Sequence, residues 1–451
     1  MSVKEGSTEA PTRHAIPWQD PAFTDPGKID TELRRVFDIC HGCRRCFNLC
    51  DSFPRLFDLI DESESGELDS VASSSFGPVI DACTRCDMCF MTKCPYVPPH
   101  EFDLDFPHLM LRVRAAEAKA GKIGFFDSQL ARTDRNGRLA GAAPGLANWG
   151  SNRNNRLTRN MLESVAGMHH DAELPKYTGK TFEARAKAAS PEVADAPARS
   201  RKAVLYATCF VNYNNPGIGE AAQYVLARNG VETEVVYPEC CGMPQLEKGE
   251  IGDVAGRARR IAAVMMPWID KGYDIIALTP SCALMLKFEW PLIAPDEEDV
   301  RRLSEATRDI TEYVVDIART EGLAEGLSPL EGGISVHLAC HARAQNMGPK
   351  AAVLLRLIPA TEVTPIERCS GHGGSWGIKK DNFEVALKVG RPAARSAVDK
   401  GAAFFASECP LAGKHIVQGM EKLEGEAGCR AWHPIELFAR AYGFRPGGES
   451  P

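Results

Sequence analysis

The sequence lacks several features that define common functional classes. Lysine and arginine number 53 against 60 aspartates and glutamates, so the net charge of -7 leaves no basic excess for nucleic acid. No apolar run approaches the ~20 residues of a membrane-spanning helix, and the first residues lack the apolar core of a secretory signal. A flavin fingerprint, a Ser-His-Asp grouping and a catalytic carboxylate pair are missing. These absences argue against a nucleic-acid-binding, membrane-spanning or secreted protein, and against an enzyme with its own organic redox cofactor.

Cysteine, in contrast, is abundant. The chain of 451 residues contains 16 cysteines, and its 44% of hydrophobic residues suffices for about two to four domains with ordinary cores. Without a secretory signal, so many cysteines predict cofactor ligands in a reducing cytoplasm rather than a disulfide framework. We therefore expect a cytoplasmic protein that meets the inner face of a membrane only through a partner.

Two cysteine motifs lie in the first quarter of the chain, CHGCRRCFNLC at 40–50 and CTRCDMCFMTKCP at 83–95. Each has the C-x2-C-x2-C-x3-C spacing with which bacterial ferredoxins hold a [4Fe-4S] cluster. Structural zinc sites use pairs of CxxC knuckles and leave no role for the evenly spaced third cysteine. The spacing therefore predicts two [4Fe-4S] clusters.

The spacing also predicts how the ligands are shared. In two-cluster ferredoxins the fourth cysteine of each motif ligates the other cluster. One cluster is therefore assigned to Cys40, Cys43, Cys46 and Cys94. The other is assigned to Cys83, Cys86, Cys89 and Cys50. The long helical segment between the motifs favours an all-helical module of the kind found as iron-sulfur subunits of larger complexes.

Composition and periodicity divide the chain into five parts. Residues 1–28, rich in Pro, Ser, Thr and charge, predict a flexible arm, and 29–120 form the helical two-cluster module. Residues 121–200 have short helical pieces and a linker, which we expect to pack against the cluster module. From 201 onward short apolar strands alternate with helices, as in α/β domains with a parallel sheet. The predicted fold class is thus multidomain, α plus α/β.

The α/β part contains an internal repeat. Its strands end at Cys209, Cys240 and Cys282, and the order recurs at Cys340, Cys369 and Cys409. The gaps are 31 and 42 residues in the first copy and 29 and 40 in the second. We therefore place one copy at 201–330 and the other at 331–451.

Cysteines at strand ends are suited to a metal site. Ligands bind α/β sheets at the carboxyl ends of strands, where loops converge. A single buried cysteine is often only a small apolar residue, but equivalent positions in both copies favour ligands. The candidate metal ligands are Cys209, Cys240, Cys241, Cys282, Cys340, Cys369 and Cys409.

The repeated pattern, behind a two-cluster module, resembles the heterodisulfide-reductase-related iron-sulfur proteins with CCG cysteine-rich domains. Within this family it is most similar to the C subunits of anaerobic glycerol-3-phosphate dehydrogenases. The segments that carry the resemblance are TCFVNYN at 208–214, ECCGMP at 239–244, PSCALMLKFEWP at 280–291, ACHARAQNMG at 339–348, ERCSGHGGSWGIKK at 367–380, SECPLAG at 407–413 and HPIELFARAYG at 433–443. The resemblance implies two repeated α/β CCG domains.

In heterodisulfide reductases a complete CCG motif holds a further, non-cubane iron-sulfur centre with five thiolates and cleaves disulfides. This chain departs from that motif, with Thr279, Ser370 and Ala412 at three of the cysteine positions. Four thiolates suffice for a cubane, whereas three need a histidine or an exogenous ligand. We therefore expect one further cluster, in the first copy or shared between copies.

Other residues of the second copy leave alternatives open. The histidines beside its cysteines either supply the missing ligand or orient loops by hydrogen bonding; they are His337, His341 and His372. The glycine-rich SGHGGSWG fits neither the dinucleotide nor the phosphate-loop pattern, so we expect no nucleotide there. Cys429 lies outside the repeat and is expected to be structural.

From the resemblance, the leading hypothesis is an iron-sulfur electron-transfer subunit of an oxidoreductase. It would relay electrons from a partner, a dehydrogenase flavoprotein or a rubrerythrin-like di-iron protein, through the two clusters. The acceptor would be the CCG site, a second protein, or a quinone reached through a membrane partner. One alternative is a heterodisulfide- or thiol-reductase-like enzyme acting at the first CCG site. Another is a scaffold whose metal-poor CCG domains dock partners.

Overall fold

The structure, a computed structural model, describes residues 9–425 and 429–445. Its first part is helical. The helices are α1 (Pro26–Cys43), α2 (Ser52–Asp61), α3 (Gly77–Ala82) and α4 (Phe106–Lys119). Short 3-10 turns at Pro21–Thr24, Leu68–Ser70 and Ser73–Phe76 and a π turn at Cys89–Lys93 complete it. Buried aromatic side chains, among them Phe37, Phe53 and Phe57, form its core.

Residues 9–28 of the segment predicted as a flexible arm, 1–28, lie against the rest of the protein, and residues 1–8 lie outside the described residues. Ile16 is 6% exposed, and its amide donates to the carbonyl of Leu292 at 2.7 Å. The indole of Trp18 donates to the carbonyl of Ile293 at 2.8 Å. Contacts with Leu292 and Ile293 hold this segment in place. Because these partners are far away in the chain, the composition of the segment itself gives no sign of them.

The middle of the chain consists of five helices. They are α5 (Phe125–Ala131), α6 (Thr133–Ala142), α7 (Pro144–Ser151), α8 (Arg156–Ala166) and α9 (Phe182–Ala188). We expected this segment to pack against the cluster module, but its helices pack mainly on the α/β part. A Cβ atom on Gly137 would lie 2.4 Å from the ring of Tyr213, so α6 approaches that residue closely. Phe182 of α9 is fully buried in the core of the α/β part.

The first parallel sheet has the strand order β2-β1-β3-β4. Its strands are β1 (Lys202–Tyr206), β2 (Glu232–Val236), β3 (Asp274–Ala277) and β4 (Thr307–Asp309). The central residue Leu205 pairs with Val235 on one side and Ile276 on the other. The helices are α10 (Cys209–Tyr213), α11 (Pro216–Arg228), α12 (Met243–Leu246), α13 (Ile251–Ile269), α14 (Pro280–Leu284), α15 (Trp290–Ile293), α16 (Glu298–Ala306) and α17 (Ile310–Thr320), with a π turn at Met285–Glu289.

The second parallel sheet repeats this topology with the order β6-β5-β7-β8. Its strands are β5 (Ile334–His337), β6 (Val363–Ile366), β7 (Phe404–Ser407) and β8 (Ala431–Trp432). Its helices are α18 (Cys340–Arg343), α19 (Lys350–Leu355), α20 (Phe383–Lys400), α21 (Pro410–Glu424) and α22 (Pro434–Ala441). One continuous core contains Leu205 and Ile276 of the first sheet and Ile334 of the second. The predicted mixed α/β architecture with parallel sheets is confirmed.

No helix within 9–425 and 429–445 combines the length and the hydropathy that crossing a bilayer requires.

Candidate metal centres

Four of the N-terminal cysteines line one cavity; they are Cys40, Cys43, Cys46 and Cys94. Cys40 and Cys43 lie in the last turns of α1, and Arg44, in the left-handed region at φ 53°, turns the chain toward Cys46. Burial and the thiols of Cys94 and Cys43 raise the pKa of Cys46 to about 12. Crowded thiols that disfavour one another's ionisation suit a multivalent cation, which stabilises the thiolates.

The other four cysteines line a second cavity; they are Cys50, Cys83, Cys86 and Cys89. The structure thus brings the last cysteine of each motif to the first three of the other. Phe53 lines both cavities. Burial raises the pKa of Cys89, and among its neighbours Cys46, a thiol of the first cavity, raises it further. The two cavities are therefore neighbours.

Arg85 lines the second cavity and carries unpaired donors. The residue is 4% exposed, and its Nε and Nη1 atoms have no hydrogen-bond partner among the described residues, while Nη2 lies 3.4 Å from Oε2 of Glu289. Buried N–H groups are rarely left unpaired, because each costs ~1–3 kcal/mol. An anionic group in the cavity, such as a thiolate-ligated iron-sulfur cluster, fits these free donors.

The first α/β unit gathers four cysteines at one edge of its sheet. Cys209 follows β1 at the start of α10, Cys240 and Cys241 follow β2, and Cys282 follows β3 in α14. The Sγ atoms of Cys240 and Cys209 lie 3.7 Å apart, and those of Cys241 and Cys282 lie 3.3 Å apart. The carboxyl ends of parallel strands therefore bring these thiols together as expected.

Residues that the sequence did not single out hold the Cys240–Cys241 loop. Oδ2 of Asp134 accepts from the amide of Cys240 at 3.0 Å, and the carboxylate also accepts from the hydroxyl of Tyr237. The indole of Trp290 donates to the carbonyl of Cys241 at 3.1 Å. Burial raises the pKa of Asp134, and the nearby Cys240 raises it further. Asp134 is 106 residues from Cys240 in the chain, so no local pattern could reveal it.

The second α/β unit places its three cysteines beside the second cavity. Burial raises the pKa of the Cys340 thiol, and Cys86, Cys369 and Cys409 raise it further. Burial raises the pKa of the Cys409 thiol, and Cys282 of the first unit raises it further. The strand-end thiols of both units and the second cavity thus form one neighbourhood.

The glycine-rich loop after Cys369 is shaped by close packing. Gly373 has φ 55°, and a Cβ there would lie 2.5 Å from Cγ2 of Thr84, next to Cys83. Gly371 has φ 73°, and a Cβ there would lie 1.9 Å from the carbonyl oxygen of Ala386. Only glycine tolerates such approaches at positive φ. These glycines let the loop approach the second cavity.

Two of the three histidines have both ring nitrogens engaged. His337 contacts the hydroxyl of Ser407 at 3.0 Å and the carbonyl of Arg368 at 3.1 Å. His341 contacts the hydroxyl of Ser281 at 2.9 Å and the carbonyl of Arg85 at 3.2 Å. Since a carbonyl only accepts, Nε2 of His341 carries the proton and Nδ1 accepts from the serine.

His372 differs from the other two, because its buried Nε2 has no partner among the described residues. Burial and the neighbouring His415 lower its pKa to about 3. The ring is therefore neutral at physiological pH, and it is the histidine of the three with a free nitrogen for a ligand bond.

Cys429 is separate from the candidate sites. Its thiol contacts the carbonyl of Arg430 just before β8, whereas the strand-end thiols follow the carboxyl ends of their strands.

Comparison with known proteins supports the resemblance. A family model described as a cysteine-rich domain, CCG, matches residues 203–287. The chain is similar to the C subunit of anaerobic glycerol-3-phosphate dehydrogenase from Escherichia coli K12, with 28% identity over 63% of this chain and 69% of the relative.

Two further relatives have other names. Lactate utilization protein A of Bacillus licheniformis is 30% identical over 41% of this chain and 79% of its own length. The B subunit of the fumarate reductase (CoM/CoB) from Methanothermobacter marburgensis is 27% identical over 53% of this chain and 46% of its own length. With the CCG match and the strand-end cysteines, these similarities show that the chain belongs to the heterodisulfide-reductase-related iron-sulfur proteins with cysteine-rich CCG domains.

Proposed function

We propose that the chain is the electron-transfer subunit of an oxidoreductase that relays electrons from a partner through two [4Fe-4S] clusters toward the CCG cysteines. The observation that carries this proposal is the grouping of eight cysteines around two neighbouring cavities, four to each. When bound, the clusters supply one-electron carriers without a separate organic cofactor. The protein's own contribution is to bury the ligands, exclude water and set the charge around each cavity.

The proposed domains follow from this grouping. Residues 29–120 form the two-cluster module, 121–200 the helical connection, and 201–330 and 331–451 the two CCG repeats. The identical strand order of the two sheets supports the repeat. The contacts of His341 with Ser281 and with the carbonyl of Arg85 join the two repeats to the second cavity.

We propose a further iron-sulfur cluster in the first repeat, held by Cys209, Cys240, Cys241 and Cys282. Their four thiols lie in two close pairs. The carboxylate of Asp134, which accepts from the amide of Cys240, and the indole of Trp290, which donates to the carbonyl of Cys241, fix the backbone of the central loop. In the second repeat the ligand set is incomplete, with Cys340, Cys369 and Cys409. His372 is the proposed fourth ligand there, since its Nε2 is free.

Partners are proposed by analogy with the relatives. Two of them are named as subunits of a dehydrogenase and a reductase, so this chain would also receive electrons from a separate protein. We propose a dehydrogenase flavoprotein or a rubrerythrin-like di-iron protein in that role. A quinone, reached through a membrane partner, is a further candidate acceptor.

One observation favours a second candidate function. The Sγ atoms of Cys241 and Cys282 lie 3.3 Å apart, which suits a site that exchanges with disulfides. In this alternative the chain would be a thiol-disulfide reductase acting at the first repeat. Reduced protein would then react stoichiometrically with a small disulfide, and Cys241→Ser would abolish the reaction.

The primary experiment is to measure iron and acid-labile sulfide on anaerobically purified protein, together with EPR spectra of oxidised and reduced states. The two N-terminal [4Fe-4S] clusters, or cubes, contribute about eight irons per chain, and a third cube raises the iron content to about twelve. About twelve, with a signal that Cys241→Ser removes, supports a redox site in the CCG repeats. About eight limits the relay to the N-terminal module and favours a docking role for the repeats. Fewer than four would refute the electron-transfer proposal.

A further inference from the structure

The first residue of α6 carries a hydroxyl group that the fold itself does not use. This residue is Thr133. Its Oγ1 atom is buried and has no hydrogen-bond partner among the described residues, so the hydroxyl does not cap the helix. A buried hydroxyl without a partner costs ~1–3 kcal/mol, and such groups often belong to redox or catalytic sites.

The chain on both sides of Thr133 is fixed to the loop that carries Cys240. The carbonyl of Ala131 accepts from Nε2 of Gln245 at 2.6 Å. Oδ2 of Asp134 accepts from the amide of Cys240 at 3.0 Å. These two hydrogen bonds hold the beginning of α6 at the first CCG site.

Helix α6 also runs alongside α10, the helix that begins with Cys209. The two helices approach closely where a Cβ on Gly137 would lie 2.4 Å from the ring of Tyr213. Thr133 precedes Gly137 by four residues, and Cys209 precedes Tyr213 by four, which is about one helical turn in each case. Because the beginning of α6 is held at the CCG site, the two helices begin together and Thr133 lies beside Cys209.

The ionisation of the two nearest thiols reflects this position. Hydrogen bonding to the thiols of Cys209 and Cys241 holds the pKa of Cys240 below its usual range despite burial, and Thr133 lowers it further. Hydrogen bonding to Cys240 and burial raise the pKa of Cys209, whereas Thr133 opposes that rise. A hydroxyl that favours the thiolate acts as a donor toward sulfur. Since a thiol is a weak acceptor and a thiolate a strong one, the hydrogen bond forms fully once the sulfur is ionised.

We propose that the hydroxyl of Thr133 donates a hydrogen bond to a ligand sulfur of the first CCG site, Cys209 or Cys240, and raises the reduction potential of the cluster held there. This inference rests on the cluster proposed for the first repeat and deepens that proposal. The ligand thiolates carry more negative charge when an electron arrives from the relay, so the donor stabilises the reduced form. Electron transfer toward the CCG cysteines is thereby favoured.

The test is an EPR-monitored redox titration of the anaerobically purified full chain, followed on the signal that Cys241→Ser removes. Thr133→Val replaces the hydroxyl with a methyl group of similar size. At the wild-type midpoint, the ratio of reduced to oxidised cluster should fall roughly fivefold in this variant. A one-electron couple shows that change as a midpoint about 40 mV lower.

Thr133→Ser keeps the hydroxyl and should have the wild-type midpoint. Thr133→Ala removes the hydroxyl with less bulk than valine and should give the same lower midpoint, so a loss of iron from the valine variant alone leaves the comparison intact. Equal midpoints for wild type and the hydroxyl-free variants would overturn the inference, as would a serine variant that behaves like them. Loss of the signal from both hydroxyl-free variants would also overturn it, because the hydroxyl would then serve cluster binding rather than the potential.

Two comparisons separate this result from the fold and from the proposed function. The control Thr158→Val removes a hydroxyl of α8 that donates to the carbonyl of Asn155 at 3.2 Å, and it should leave the midpoint unchanged. Wild-type protein with about eight irons and no third signal would refute the cluster in the first repeat itself. A third signal with an unshifted midpoint in Thr133→Val would refute only the role of Thr133.

Discussion

Arg13 forms a two-pronged ion pair with Asp87, with Nη1 to Oδ2 at 2.9 Å and Nη2 to Oδ1 at 3.0 Å. Asp87 is 2% exposed and lies between Cys86 and Cys89. Burial alone would raise the pKa of Asp87, but the charge and hydrogen bonds of Arg13 outweigh burial and hold it below its usual value. Nη1 of Arg13 also reaches Oε1 of Glu289 at 3.3 Å. The N-terminal segment thus neutralises carboxylates between the second cavity and the first α/β unit.

Replacing Arg13 should therefore destabilise the protein. Arg13→Met leaves the buried carboxylate of Asp87 without its ion-pair partner, which we expect to cost about 3–5 kcal/mol. Urea unfolding followed by tryptophan fluorescence measures this loss. The control Arg199→Met removes an exposed arginine that pairs with Asp195, and it should leave the midpoint unchanged. A wild-type midpoint for Arg13→Met would contradict the role of this ion pair.

Arg85 should raise the reduction potential of the cluster in the second cavity, because its unpaired donors stabilise the more negative, reduced form. In Arg85→Gln we expect this potential to fall by roughly 40 mV for each ~1 kcal/mol of lost stabilisation. EPR-monitored redox titration measures the shift. Arg85→Lys, which keeps the charge but loses the fork of donors, should give an intermediate value.

The first cavity offers a control for this effect. Arg45 lines that cavity but is exposed, so water screens its charge. Arg45→Gln should move the potential of the first cluster less than Arg85→Gln moves that of the second. Equal shifts in the two variants would assign the effect to net charge rather than to the buried donors.

Asp134 should be needed for the first CCG site. In Asp134→Ala the buried amide of Cys240 and the hydroxyl of Tyr237 lose their acceptor, at about 1–3 kcal/mol. We expect the iron beyond the two cubes to be lost first, while the cube signals remain. Asp127→Ala, a carboxylate of the neighbouring helix that pairs with Lys379, serves as control and should keep all its iron. Full iron in Asp134→Ala would count against this role.

The stability of the protein should depend on pH through His433. Burial lowers the pKa of this histidine to about 3, against about 6.5 in an unfolded chain. Below pH ~6.5 the unfolded state therefore binds a proton that the folded state does not, so stability falls as pH falls, by up to about 1.4 kcal/mol per pH unit. Above about pH 6.5 both states hold His433 neutral, so its contribution to stability no longer changes with pH.

His433→Asn tests this dependence without removing the helix cap. Nδ1 of His433 accepts from the amide of Ile435 at 3.2 Å at the start of α22, and asparagine can accept the same bond. Urea midpoints between about pH 5 and about pH 8 should show a shallower slope in the variant. The other buried histidines titrate in both proteins, so parallel slopes would argue against His433.

Short-range patterns predicted much of the candidate sites. The two C-x2-C-x2-C-x3-C motifs, and strands that end at cysteines such as Cys209 and Cys340, depend on spacings within a few tens of residues. Because parallel strands put their carboxyl ends at one edge of a sheet, strand order was enough to expect Cys209, Cys240 and Cys282 together. The cofactors and their number remain predictions for the iron analysis.

The sequence alone thus determined the candidate ligands, through the cysteine spacing, and the alternation of strands and helices. Together these two features indicate the family. Only the tertiary structure decided that the N-terminal segment is docked, that the middle helices pack on the α/β part, and that Asp134 and Arg85 serve the candidate sites. The physical reason is distance along the chain. The partners of Arg13, at 87 and 289, and the partner of Asp134, at 240, meet only when separate elements pack.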